Sequence, residues 1–170
     1  MYHDDGLFDR VYRHAFPVLY RVVYRITGDG HVAEEICQEA FIRYYPRMHT
    51  IQDTDEATYW LIRVARNLAY NHERRRTRER RALTSLFKEQ PKTEESEESR
   101  LLKEEDSRMV RDAIMALPYN LRVPLVLREY EGFAYREIAK ALGISEANVK
   151  IRIFRARRRL AELLEDRGMV

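Results

Sequence analysis

Apolar side chains recur at intervals of three and four residues along most of this chain, which restricts it to helical folds. The first such block runs from Leu7 to Ile26, and similar blocks follow it. No segment shows the strict alternation of apolar and polar residues that marks a half-buried strand. Only 6 glycines and 5 prolines interrupt the 170 residues, which favours long helices. The pattern therefore predicts an all-α protein.

An acidic segment divides the helical blocks into two groups. It covers residues 85–106, is rich in glutamate and contains Pro91, and from Lys88 onward it has almost no large apolar side chain before Leu101. Such a composition is typical of a flexible linker. We therefore predict two small helical domains, a three-to-four-helix bundle over residues 1–84 and a four-helix domain over residues 107–170, joined by a flexible acidic linker.

The remaining composition excludes several classes of protein. No apolar run approaches the roughly 20 residues that cross a membrane, and the acidic, polar residues 1–10 do not form a secretory signal. The single cysteine, Cys37, excludes an internal disulfide framework and is expected to pack as a small apolar side chain. We expect a cytoplasmic protein with no membrane insertion of its own.

The segment from Tyr135 to Phe154 has the spacing of a helix-turn-helix motif. Ala139 permits two helices to cross closely, and Gly143 suits the left-handed turn that ends the first helix. Ser145 suits the N-cap of the second helix.

The last helix carries cations opposite an apolar stripe. On a helical wheel Val149, Ile153, Ala156 and Leu160 share one arc, whereas residues 150–159 contain six cations and no acid. Ile151 and Phe154 are apolar on the side that should face water. A solvated basic helix is the simpler interpretation, but these features together favour binding of duplex DNA in the major groove.

The helix that begins near residue 57 interleaves aromatic and basic residues on one face. Rings can stack on unpaired bases while guanidinium groups hold phosphates, although an ordinary solvated face is the alternative. Trp60 lies at the edge of the apolar arc, where a core role is equally supported. The residues of this face are Tyr59, Arg63, Arg66, Asn67, Tyr70 and Arg74.

The second helix carries an acidic flank formed by Glu34, Glu35 and Gln38, with Glu39 close to its apolar stripe. Acids would repel phosphate, so the flank suggests a protein partner. From the spacing alone, ordinary surface charge is the favoured interpretation.

No enzymatic motif appears, since phosphate-binding loops, dinucleotide fingerprints and zinc-protease patterns are all absent. The five histidines are scattered, and His31 beside Glu34 and Glu35 is typical of a helix start rather than of a metal site. We expect no enzyme, no cofactor and no metal. A conventional helix-turn-helix repressor or activator, whose first domain senses a signal or dimerises, remains an alternative.

Three stretches together resemble bacterial RNA polymerase sigma factors of the sigma-70 family, in the extracytoplasmic-function (ECF) group. They are AEEICQEAF at residues 33–41, WLIRVARN at residues 60–67 and the stretch from Leu117 to Leu160. The resemblance covers nearly the whole chain in order. It implies a sigma factor that binds core RNA polymerase and directs promoter-specific transcription initiation, with sigma region 2 in the first domain and sigma region 4 in the second.

The resemblance also implies roles for particular residues. Region 2 would bind and melt the minus-ten element through Trp60 and the aromatic and basic face of the helix that begins near residue 57. Residues 47–56 would select a flipped base near Asn67. The acidic flank would dock on the coiled coil of the largest polymerase subunit, and the polymerase flap and an anti-sigma factor are further expected partners. Region 4 would read the minus-thirty-five element as duplex through Ser145, Ala147, Asn148, Lys150, Ile151, Phe154, Arg155 and Arg158.

Overall fold

The computed structural model describes residues 4–83, 96–105 and 108–168, and none of these residues lies in a strand. The all-α prediction is therefore confirmed. Across the same residues, no helix combines the length and apolar character needed to cross a bilayer. The helices are α1 (Asp4–Thr27), α2 (Gly30–Tyr44), a short 3-10 helix (Tyr45–Arg47), α3 (Thr54–Leu83), α4 (Glu97–Glu105), α5 (Arg108–Ala116), α6 (Tyr119–Glu129), α7 (Tyr135–Leu142) and α8 (Glu146–Asp166).

Aspartate side chains fix the starts of two helices in the first domain. The carboxylate of Asp29 accepts the backbone N–H groups two and three residues further on, at 2.9 and 3.2 Å. Asp53 does the same at the start of α3, at 3.0 and 2.9 Å. Asp53 is therefore the N-cap of α3.

The first domain is a bundle of α1, α2 and α3 that contact one another pairwise. Its core contains Leu19, Tyr44, Leu61 and Ala65. Cys37 is fully buried in the same core, so its expected role as a packed small side chain is confirmed.

The second domain consists of α5 to α8, with α6 and α7 packed on α8. Val149, Ile153 and Ala156 of α8 are buried, as the helical wheel predicts. The two-domain helical architecture is thus the one expected.

The segment predicted as a flexible linker is helical over Glu97–Glu105. Ser96 accepts the backbone N–H of Ser99 at 3.2 Å and shares a hydrogen bond of 3.1 Å with Tyr20. Ser99 is only 2% exposed, and a Cβ atom at Gly30 would come within 2.9 Å of its Cβ. The helix thus docks through small serines, which composition did not reveal. Residues 85–95 and 106 of the predicted linker lie outside the described residues.

The two domains pack against each other. α1 contacts α5 and α6, while α3 contacts α7. Buried Ile114, Val123 and Ile138 of the second domain belong to the same apolar cluster as Leu19 and Leu61 of the first. The described parts of both domains therefore share a continuous core, which places α7 over one face of α3.

Candidate nucleic-acid interface

The turn between α7 and α8 has helix-turn-helix geometry. Gly143 adopts φ +68°, and its N–H donates to the carbonyl of Ala139 at 2.8 Å. The hydroxyl of Ser145 accepts the backbone N–H of Asn148 at 3.1 Å and so caps α8. Both expectations for this turn are confirmed.

The outer face of α8 presents apolar and basic side chains to solvent. Phe154 is 66% exposed and Ile151 is 49% exposed, so neither side chain packs into the core. Lys150 and Arg155 are exposed beside them. Of the other residues predicted for this face, Ser145, Ala147 and Arg158 are exposed and Asn148 is half-buried.

The six cations of α8 do not form one uniform stripe. Arg157 pairs with Glu129 of α6 at 2.6 Å, and the half-buried Arg152 donates to Asn148 at 3.3 Å. Arg158 and Arg159 lie 3.9 and 3.1 Å from Glu162. Acids that follow the basic run or lie on α6 therefore offset part of its charge.

On α3, two predicted arginines cap the C-terminal end of α7. Arg63 donates to the carbonyls of Lys140 and Ala141, the latter at 3.3 Å, and Arg66 donates to that of Leu142 at 3.0 Å. The last carbonyls of a helix lack donors within the helix and carry its negative end. Burial in this contact lowers the pKa of Arg66.

The tyrosines of the same face are also engaged. The Tyr59 hydroxyl donates to Glu137 of α7 at 3.4 Å, and its ring meets Phe133 edge-on at 6.1 Å between centroids. Burial, with the negative charge of Glu137, raises the pKa of Tyr59 to about 12. The ring of Tyr70 lies 5.3 Å from that of Tyr119.

Asn67 and Arg74 complete the face. The side-chain oxygen of Asn67 accepts two hydrogen bonds from Arg66, at 3.2 and 3.0 Å. The Arg74 guanidinium lies 5.7 Å from the centroid of the Tyr70 ring. The six predicted residues therefore share one side of α3, as expected.

Trp60 lies beside this face rather than on it. Its ring is 6.1 Å from that of Tyr44, and the Arg47 guanidinium lies 5.6 Å from its centroid. The loop predicted to select a base is anchored here, because the Tyr44 hydroxyl donates to the carbonyl of Ile51 at 2.8 Å. The half-buried indole thus links the core to the loop.

A cavity of about 200 Å³ lies between α3 and the second domain. Asn67 and Tyr70 line it from one side, with Tyr119, Asn120 and Arg152 on the other. Sequence reasoning missed Tyr119 and Asn120. Both residues directly follow Pro118 at the start of a helix, and this position was the signal in the sequence that could have drawn attention to them.

The acidic flank of α2 is exposed at Glu35 and Gln38, whereas Glu34 and Glu39 are half-buried. Ile42 is 66% exposed one turn beyond Gln38, and Tyr45 follows on the same side. Sequence reasoning missed both apolar residues, although their spacing from Gln38 by four and seven residues was a usable signal.

Histidine and carboxylate groups do not assemble into a metal site in the part of the chain that the structure describes. His31 instead pairs with Glu35 at 3.1 Å.

Comparison with known proteins adds family matches in both domains. The family profile of Sigma-70 region 2 matches residues 11–79, and that of Sigma-70, region 4 matches residues 107–160. The chain is 34% identical over 162 residues to the ECF RNA polymerase sigma factor SigE of Mycolicibacterium smegmatis, which covers 92% of this chain and 61% of that protein. It is 32% identical over 165 residues to SigM of Bacillus subtilis, covering 95% and 96% of the two chains.

A solved structure shares the fold. It is the sigma factor RpoE from Bartonella quintana in complex with the anti-sigma factor NepR, with a TM-score of 0.70, 24% sequence identity, and coverage of 93% of this chain and 96% of that one.

Proposed function

Because this chain belongs to the sigma-70 family, in its ECF group, we propose that it is a sigma factor that binds core RNA polymerase and directs promoter-specific transcription initiation. The polymerase would form the bonds, and this chain would supply the DNA recognition. The observation that carries the proposal is the outer face of α8, where Lys150, Ile151, Phe154 and Arg155 are exposed directly after a helix-turn-helix turn.

This face of α8 would read the minus-thirty-five element in the major groove. Lys150 and Arg155 can donate to base edges or phosphates, while Ile151 and Phe154 can meet thymine methyl groups. Their exposure supports this role, since neither apolar side chain has a place in the core.

The face of α3 would hold the melted minus-ten strand. Extruding a base costs a few kcal/mol of lost stacking. Stacking on Tyr59 or Tyr70 and phosphate contacts from Arg63 and Arg66 would offset that cost, because each stacked base contributes about 1–3 kcal/mol. Asn67 lies where it could hydrogen-bond the edge of such a base.

The α2 face formed by Glu35, Gln38, Ile42 and Tyr45 would dock on the largest-subunit coiled coil of the polymerase. Exposed apolar side chains within a polar rim are typical of protein interfaces. An anti-sigma factor is a further proposed partner, because the structurally similar RpoE was solved with one. With these partners, the proposed location of the protein is the cytoplasm.

Run-off transcription with purified core polymerase and a promoter library tests the proposal. Sequencing of the transcripts should reveal start sites that appear only when the protein is added. An Ile42→Asp variant should lose this activity together with co-purification of the core. If the protein instead binds an operator tightly alone and core polymerase adds nothing, it is a conventional helix-turn-helix regulator.

A further inference from the structure

We propose that Tyr44 is a positioning residue for base selection at the minus-ten element. Its buried hydroxyl holds the backbone of the loop of residues 48–53, which connects the 3-10 helix to α3, and so fixes the exposed side chains that this loop offers to a flipped base. The inference rests on the proposed function and deepens it, because it assigns a source of specificity to the strand-binding domain.

Two adjacent tyrosines at the end of α2 differ in their surroundings. Tyr44 is fully buried, whereas Tyr45 is 52% exposed. Pro46 has no N–H group to donate, and the chain passes here from α2 into the short 3-10 helix. The ring of Tyr44 lies in the core, with its centroid 6.1 Å from that of Trp60 and 6.4 Å from that of Phe8. A phenylalanine could make the same ring contacts, so the hydroxyl contributes through its hydrogen bond.

The partner of this hydroxyl lies in the loop. The Tyr44 hydroxyl donates to the backbone carbonyl of Ile51 at 2.8 Å. Burial raises the pKa of Tyr44, so the phenol stays protonated and remains a donor at neutral pH. A carbonyl that faces the core is costly to leave without a partner. The bond therefore joins the packed core of the domain to the middle of the loop.

Other hydrogen bonds of the loop are local. The backbone N–H groups of Thr50 and Ile51 donate to the carbonyl of Arg47 at 2.9 and 3.0 Å. Because these bonds join close neighbours in the chain, they shape the loop without fixing it to the rest of the domain. The bond from Tyr44 comes from inside α2, so it determines where the loop sits.

The loop lies beside the proposed strand-binding face and exposes polar side chains. It leads directly into α3, and the Arg47 guanidinium at its start lies 5.6 Å from the centroid of the Trp60 ring. His49, Thr50 and Gln52 are exposed. Side chains of these types donate and accept hydrogen bonds, so they can read the edge of an unpaired base.

Discrimination between bases depends on where these groups are held. A hydrogen-bonding group distinguishes one base edge from another only when its position is fixed to within about 0.5 Å. Phosphate contacts from the arginines of α3 carry no sequence information directly. Loss of the Tyr44 hydroxyl should therefore relax the preference for one base more than it reduces initiation.

Tyr44→Phe tests this inference, because it removes the hydroxyl and keeps the ring. The assay is run-off transcription with purified core polymerase and a promoter library in which both elements are randomised. We expect the preference for the favoured base at one minus-ten position to fall at least about threefold, which is the effect of one lost hydrogen bond. Base preferences in the minus-thirty-five element should not change.

Tyr20→Phe is the matched control. Tyr20 is 4% exposed, and its hydroxyl shares a hydrogen bond of 3.1 Å with Ser96, which is not part of the loop. This variant should keep every base preference of the wild type. Unchanged preferences in Tyr44→Phe overturn the proposal, and so does equal relaxation at all minus-ten positions or in both variants. Absence of start sites with the wild type would contradict the proposed function instead.

Hydrogen exchange on the free protein tests the anchor without polymerase or DNA. The amides of residues 48–53 should exchange at least about threefold faster in Tyr44→Phe than in the wild type, and at the wild-type rate in Tyr20→Phe. Both variants should melt within about 4 °C of the wild type. Unchanged exchange in the loop, or faster exchange throughout the first domain, overturns the proposal, because the hydroxyl would then hold either nothing or the whole fold.

Discussion

The guanidinium of Arg122 on α6 lies against the carboxylate of Glu73 on α3, with hydrogen bonds of 3.2 and 3.1 Å. Arg122 is 2% exposed and also donates to the carbonyls of Ile26, Met115 and Leu117. One side chain therefore ties the second domain to both α1 and α3.

Removal of Glu73 should destabilise the protein, because the buried Arg122 guanidinium would lose its counter-charge. Glu73 is half-exposed and three carbonyls remain, so we expect Glu73→Ala to lower the free energy of unfolding by about 2 kcal/mol. Urea unfolding measures this difference. Glu79→Ala, an exposed position on the same helix, should stay within about 0.5 kcal/mol of wild type. Equal effects of the two substitutions would contradict the role of the pair.

Gly143 should not tolerate a side chain, because its φ of +68° is strained for other residues. We expect Gly143→Ala to cost about 1–2 kcal/mol in thermal or urea unfolding. Gly132 has the same φ with open space around it, whereas a Cβ at Gly143 would lie 3.4 Å from the Arg63 guanidinium. Gly132→Ala therefore isolates the backbone strain, and a smaller loss at Gly143 than at Gly132 would refute this account.

The thiol of Cys37 should be inert in the folded protein. Burial, with a smaller contribution from Glu34, raises its pKa from 9.0 to about 12. The pKa of Cys37 is higher in the folded protein than in the unfolded chain. The protonated thiol therefore favours the folded state fully below pH 9, and this contribution to stability is lost as the pH rises towards 12. Reaction with a disulfide reagent at pH 8 should follow unfolding, and Cys37→Ala should flatten the alkaline part of the stability profile. Rapid labelling of the native protein would disprove the assignment.

Arg155 should contribute directly to duplex binding. We expect Arg155→Ala to weaken binding of holoenzyme to the minus-thirty-five element by about 1–3 kcal/mol if the side chain meets a base. Arg157→Ala provides the matched comparison, since it removes a cation from the same helix that is paired with Glu129. Indistinguishable losses would mean that charge alone, not position, determines binding.

Asn67 should act in strand separation and not in duplex recognition. Asn67→Ala is expected to reduce permanganate reactivity of minus-ten thymines in the complex with core polymerase while leaving minus-thirty-five contacts intact. Footprinting of both elements in one sample provides the internal control. If the variant opens the promoter as well as the wild type does, Asn67 does not contribute to strand separation.

Local features were accessible from the sequence because neighbouring residues determine them. The turn at Gly143, the cap at Ser145 and the buried stripe beginning at Val149 all follow from spacing within one or two helices. The grouping of Arg63, Arg66 and Tyr70 on one side of α3 follows in the same way.

Contacts between distant segments were not accessible in this way. Nothing near Arg66 in the chain indicates that the carbonyl of Leu142 will be its partner. Likewise, nothing near Gly30 indicates that Ser99 will pack against it. Such contacts depend on how whole helices dock. Ile42 is a different case, because its spacing from Gln38 was a usable signal, but an isoleucine in an amphipathic helix is ordinarily assigned to the core.

The exposed ring of Phe154 has a consequence for how this protein behaves in a concentrated solution. Lys150 and Arg155 flank it, so copies approaching through this surface repel one another at low ionic strength. At 1 M salt that repulsion extends only about 3 Å, and the apolar tips can then adhere. High salt, which would also weaken the proposed contacts with DNA, is thus the condition that favours precipitation of the protein.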